Sequence, residues 1–314
     1  MRTFQTLTVA SVLATIVLIA MGSTVRTNGA GLGCPDWPLC YGGILPPLEI
    51  LAILEWVHRF IVTIISVLVL TQTAIAWFLR GRDPMLWKLG LLSVLVLFIQ
   101  ALLGGVTVLL GNVPWSVAIH LIAALTLLAV LTVMSACAIL GPNRTRIAGA
   151  ERADFVRAAM WAAASTWIVL LFGAYVVQAG AGPACTTWPL CDGAPIPFLT
   201  GSYVSHVHWL HRITVVLGAG VITWLFLYVR GMHGAGRMLQ RGAHSLIGLY
   251  GLQVLSGALN IFSDFSRIAL VLHLALASAT WAVMVAVWYA ARFDHAAAAH
   301  APRRVPDEAR GARA

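Results

Sequence analysis

Eight apolar stretches, at about 6–25, 51–79, 88–110, 115–140, 157–180, 204–229, 242–262 and 268–291, make up most of this 314-residue chain. Each is near the ~20 residues that a helix needs to cross a bilayer. Lipid offers backbone amides no water partner, so runs of this length are expected to be helices. Composition agrees: 60% of the residues are hydrophobic and 10% charged, against about a quarter charged in soluble domains. The expected class is an all-α, polytopic membrane protein. The first stretch is followed by no small-residue cleavage site and has a counterpart later in the chain, so it reads as a retained helix.

A net charge of +9 could suit nucleic acid, but the arginines are placed by topology instead. If the spans alternate in direction, all of the 20 Lys and Arg residues except Arg26, Arg59, Arg212 and Arg267 fall on one side. The positive-inside rule then puts both termini in the cytoplasm, in a plasma membrane, with the loops around 34–40 and 185–191 outside. The tail, 293–314, is rich in Ala, Arg and Pro and reads as disordered.

The chain repeats itself. "CPDWPLC" at 34–40 returns as "CTTWPLC" at 185–191, an offset of 151. His58, Gln100, Gly104 and His120 return as His211, Gln253, Gly257 and His273, an offset of 153. The repeating unit holds an even number of spans, so both copies share one orientation, with a pseudo-two-fold axis along the membrane normal. This predicts two tandem four-helix bundles, 1–140 and 157–292, joined by a linker at 141–156. Gly104, Gly105 and Gly257 clear room for close approach of helices or a flat ligand.

Within the spans the only Asp, Glu, Lys or Arg residues, apart from Lys88 and Arg157 at two span starts, are Glu55, Arg59 and Arg212. Ionisable groups at such depth are expensive and usually functional. Glu55 and His58 are three apart and share a helix face; His208 and His211 repeat that spacing. Counting along the spans, His58, His120, His211 and His273 all lie ~7–11 Å below the outer boundary. Two imidazoles on different helices at one level are what the two axial positions of a haem iron require, and bundle cores commonly hold such cofactors. Buried, hydrogen-bonded histidines or a metal-free proton path are the plainer alternative. His206 and His208 lie near the outer boundary, and His208 could support the site or sit at the interface. His233, His244, His295 and His300 read as solvated. Arg59 and Arg212 are candidates for haem propionates, or for snorkelling to the interface.

Cys34/Cys40 and Cys185/Cys191 lie on the oxidising side, where disulfides persist. They are expected to staple a lid over each bundle; the alternative is a labile pair exchanging with a thioredoxin-like partner. Zinc is disfavoured, since each loop offers two sulfurs and no nearby loop histidine. Cys137 is left over and reads as inert.

"EWVHRF" at 55–60, "HWLHRI" at 208–213, the two cysteine loops, and the histidines before "LIAAL" and "LALAS" resemble haem A synthase, in its bacterial branch with paired cysteines. The similarity covers about residues 1–292. It implies an eight-helix enzyme that oxidises a methyl group of haem O to the formyl group of haem A by successive hydroxylations, for cytochrome oxidase. It implies resident haem b on His211 and His273, substrate haem O between His58 and His120, and Glu55 as the carboxylate at the substrate. Haem O synthase, an unidentified electron acceptor, a thiol partner and a second copy of the chain are candidate partners; nucleic acid is not. Glu55 in one half and His208 in the other already suggest that the halves differ in chemistry. The chief rival is a di-haem b-type cytochrome carrying electrons from quinol to an extracytoplasmic acceptor. A transporter using the repeat for alternating access is a second.

Overall fold

The computed structural model describes residues 2–142, 145–146, 150–192, 201–232 and 237–294. His233, His295, His300 and the tail beyond 294 lie outside the described residues, as does part of the 141–156 linker.

Among the described residues eight long helices run in order: α1 (Arg2–Thr27), α2 (Ile50–Leu79), α3 (Pro84–Leu109), α4 (Pro114–Leu140), α5 (Ala150–Gln178), α6 (Tyr203–Gly231), α7 (Arg237–Phe262) and α8 (Arg267–Ala290). All eight are long and apolar enough to cross a membrane. The chain is a multi-pass membrane protein. Local chemistry sets several helix starts. Asp83 caps α3 by accepting from the Met85 N–H, with Pro84 at the first helical position. Ser202 and Ser266 cap α6 and α8, accepting from Ser205 N and Ala269 N. Each cap satisfies an amide that the first turn leaves without a partner.

The helices close into two rings. α1 neighbours α2, α2 neighbours α3, α3 neighbours α4, and α4 returns to α1; α5 to α8 repeat the same circuit. Helices α2 and α4 therefore face each other diagonally across the first bundle, and α6 and α8 across the second. Between the bundles, α4 packs on α8, α1 on α8, and α4 on α5. Exchanging the two halves maps that set onto itself, as a pseudo-two-fold axis between α4 and α8 demands.

Packing follows lipid rules. Leu13, Val17, Leu70, Phe98, Leu217 and Leu272 are exposed, as expected of faces turned to acyl chains. Small polar residues of α1, Thr8, Ser11 and Thr15, are buried. They let helices approach closely, and Ser11 Oγ donates to Gln72 Oε1 of α2 at 3.2 Å. The seam between bundles is apolar: Ile19, Leu125, Leu128, Trp281, Ala282 and Val285 form one buried cluster. Trp281 packs at a tilt against Trp167, with ring centroids 5.0 Å apart, and its indole N–H donates across the seam to the Leu125 carbonyl at 3.0 Å.

Two boundaries differ from the sequence expectation. Helix α5 begins at Ala150, inside the expected linker, because the polar turn at 150–156 extends the apolar span as ordinary helix. Phe293 and Asp294, expected in the tail, pair as a two-residue antiparallel ladder with Thr145–Arg146. The linker and the end of α8 are thereby stitched together beneath both bundles.

Candidate functional site

The end of each bundle nearest the cysteines carries the candidate site. Cys34–Cys40 and Cys185–Cys191 are disulfides, with S–S distances of 2.00 and 2.05 Å. Both loops have a cis Trp-Pro bond, Trp37-Pro38 and Trp188-Pro189. Asp36 accepts from the backbone N–H groups of Tyr41 and Gly42, each at 2.7 Å. The Gly42 bond is the main reason that the Asp36 carboxyl sits below its ordinary pKa; Tyr41 and the Arg59 charge add to it and desolvation opposes it. Asp192 does the same in the second loop, accepting from the Thr186 N–H and hydroxyl at 2.8 Å.

Arg59 and Arg212 hold these loops down. Arg59 Nη1 donates to the Asp36 carbonyl at 2.8 Å and to that of Leu39, and Nη2 to that of Cys34 at 3.1 Å. Arg212 Nη1 donates to the carbonyls of Thr187 and Leu190 at 2.8 Å, and Nη2 to that of Cys185 at 3.4 Å. These loop bonds engage the donors that the sequence reading offered to haem propionates. Each guanidinium follows its histidine by one residue, points around the helix to the loop, and spends most of its donors on converging carbonyl oxygens.

Glu55 is buried, and its Oε1 accepts from Arg59 Nε at 2.9 Å. Its counterpart in α6 is His208, also buried. One half thus offers a carboxylate where the other offers an imidazole.

The four singled-out histidines fall on the diagonal helices, His58 on α2 opposite His120 on α4, and His211 on α6 opposite His273 on α8. Each ring lies against a glycine of the adjoining helix. A methyl group at Gly22 would stand 3.4 Å from His58 Nε2, at Gly104 3.2 Å from His120 Cε1, at Gly173 3.3 Å from His211 Cε1, and at Gly257 3.4 Å from His273 Cε1. Gly22 and Gly173 were missed in the sequence, although they obey the same 151-residue offset as the cysteines. The Gln100 side-chain amide nitrogen lies 3.2 Å from His120 Nε2, and that of Gln253 3.3 Å from His273 Nε2. These glutamines were legible as repeat landmarks but not as partners of the histidines.

The two loops are seated on different neighbours. The Trp37 ring lies on the bare backbone of α3 at Gly105, where a methyl group would come within 2.9 Å of the indole. Trp188 instead meets Phe262 edge-on, with centroids 6.5 Å apart. Elsewhere, Cys137 is buried with its thiol 3.8 Å from Asp83 Oδ2, and His244 is exposed, its Nδ1 2.8 Å from the Gln240 carbonyl. A cavity of about 1060 Å³ lies at the opposite end, between the bundles, lined by Trp167, Trp281 and Trp288; none of the four histidines borders it.

Among the described residues no three His, Cys, Asp or Glu side chains converge as metal ligands, so the donors on offer are imidazole pairs. Their chemistry fits haem. Neutral imidazoles on two diagonal helices would suit the two faces of a porphyrin iron, and the glycine beside each ring keeps side-chain bulk away from it.

Fold and site together define a duplicated helical membrane protein with a pair of histidines on diagonal helices in each half. Comparison with known proteins carries this further. The chain belongs to the COX15-CtaA family, described as cytochrome oxidase assembly protein, whose model matches residues 5–52 and 48–285. It is 27% identical over 299 residues to the heme A synthase of Symbiobacterium thermophilum, covering 92% of this chain and 95% of that one. It is 29% identical over 222 residues to the heme A synthase of Bacillus licheniformis (69% and 72% covered). Over 293 residues it is 29% identical to that of Shewanella oneidensis (79% and 84% covered).

Proposed function

We propose that this chain is a haem A synthase, with haem O bound as substrate between His58 and His120 and haem b resident between His211 and His273. The observation that carries the reading is the asymmetry of a duplicated site: both halves offer an imidazole pair, but only the first places a buried carboxylate, Glu55, one helical turn before the histidine. The names of the relatives support it.

Converting the methyl group to a formyl group with water as the oxygen source removes four electrons and four protons. Bound haem b would supply a one-electron carrier, and the four electrons leave singly to an acceptor outside the chain. The chain's own residues do the rest. His58 and His120 orient the macrocycle. Glu55 holds or accepts a proton at its carboxylate oxygens, as a general base requires, and Arg59 fixes that carboxylate. The loop of 34–40, seated by Trp37 on α3, covers the site from water. The bias of arginines supports an orientation with this end outside the cytoplasm and both termini inside.

The test is expression of the chain with a haem O source, followed by extraction and chromatography of the pigments. Haem A is expected. Unaltered haem O, with two tightly held haems per chain, would instead favour an electron-transferring cytochrome.

A further inference from the structure

The two halves differ again, behind the histidine of their last helix. In the second half Ser256 Oγ lies 2.9 Å from His273 Nδ1, and the serine hydroxyl donates to the Gln253 carbonyl at 2.8 Å. A hydroxyl has one proton. With that proton committed to the carbonyl, Oγ meets the ring as an acceptor, so Nδ1 carries the hydrogen and Nε2 keeps its lone pair. The Gln253 amide nitrogen lies 3.2 Å from Nδ1 and 3.3 Å from Nε2; with the Nδ1 hydrogen directed to Ser256 Oγ, only Nε2 can accept from it. In the first half the Gln100 amide nitrogen lies 3.2 Å from His120 Nε2, which gives the same tautomer. There, however, the residue 153 positions before Ser256 is Leu103. The register is secure, because Gly104 and Gly257 one residue on both pack against their histidines. His120 Nδ1 is consequently buried without a partner among the described residues.

We propose that Ser256 is a positioning residue that makes His273 the firmer iron ligand, and that Leu103 leaves His120 the weaker one, so that one haem stays while the other is released. A hydrogen bond accepted from the far nitrogen of a ligating imidazole fixes the ring and raises its basicity, and losing such a partner typically costs 10–100-fold in affinity. A resident cofactor needs that grip. A site that must give up its product each turnover does not. The inference rests on the proposed assignment of resident and substrate haem.

The experiment uses full-length protein purified in detergent and loaded with haem b and then with haem O, as wild type, Ser256→Ala, Ser256→Thr and Leu103→Ser, with the two pigments told apart by chromatography. It measures haem transfer to excess apomyoglobin and the reduction potential of the haem that remains. Ser256→Ala is expected to lose haem b at least tenfold faster. Its potential should rise, because the ferric iron loses electron donation; a tenfold change in the ferric preference is about 59 mV for one electron. Ser256→Thr should restore both values. Leu103→Ser should slow release of haem from the first half, again about tenfold. Unchanged release and potential in Ser256→Ala would overturn the inference while leaving the haem assignment standing. If Ser256→Ala fails to accumulate, unchanged release from Leu103→Ser overturns it instead. Wild type without haem b, or haem b retained in His273→Ala, would defeat the assignment itself and this inference with it.

Discussion

Arg59 donates from Nε to Glu55 Oε1 at 2.9 Å while the far end of the same guanidinium holds the Cys34 and Asp36 carbonyls. The candidate catalytic carboxylate and the covering disulfide loop thus share one anchor. Arg212 holds the second loop in the same way, but its neighbour one turn back is His208, so that anchor has no carboxylate to fix.

Glu55→Gln keeps the shape of the side chain and removes its capacity to take a proton. Haem O should still bind and haem b should be retained, while haem A formation falls at least 10²-fold, the usual worth of a positioned base. Pigment extraction read beside haem content per chain separates chemistry from binding. Near-normal conversion would remove Glu55 from the mechanism.

Arg59→Ala leaves three loop carbonyls and the Glu55 carboxylate without their donor. Amide exchange across 34–42 should rise, and turnover should fall roughly 10²-fold through misplacement of the carboxylate. Arg212→Ala should raise exchange across 185–191 with a far smaller effect on turnover. Equal losses from both variants would show that the carboxylate link carries nothing.

The glycines beside the histidines give a graded series. Gly→Ala at Gly104 or Gly257 brings a methyl group to 3.2 or 3.4 Å from the ring, and Gly→Val demands a larger displacement, an overpacking that costs about 1–3 kcal/mol. Gly173→Val and Gly257→Val should weaken the Soret band of resident haem b. Gly22→Val and Gly104→Val should spare that band and weaken haem O uptake, measured by titration. Uniform effects at all four positions would point to general misfolding instead.

Acid should loosen the first loop. The folded pKa of Asp36 lies below its unfolded value, which is about 3.9. Its contribution is therefore fully present above that value and is lost as pH falls through the folded one. Amide exchange at Tyr41 and Gly42, corrected for intrinsic rate, should rise at the acid end for wild type. In Asp36→Asn it should be raised at neutral pH and show no such acid step.

Much of the fold was legible because lipid leaves a chain few options: a long apolar run is a helix, and an even-numbered repeat fixes the symmetry. The first turn of α5 and the Phe293–Asp294 ladder were not, since polar residues at a membrane edge can be helix, strand or tail according to what they meet. His58, His120, His211 and His273 stood out because duplication repeated them at one depth. Ser256 did not, since a serine in a span signals nothing until the ring beside it is seen. The partners of Arg59 and Arg212 depend on where loop carbonyls point, which composition does not encode.

The α4–α8 contact at the symmetry axis has a further consequence. His120 and His273 ride on the two helices that meet there, clamped by the Trp281 bond to Leu125. Under the proposed function this makes the interval between the altered pigment and its electron relay a property of a single rigid strut. Tunnelling rates decay exponentially with distance, so small residues traded for bulky ones along that strut should throttle turnover without touching either binding pocket.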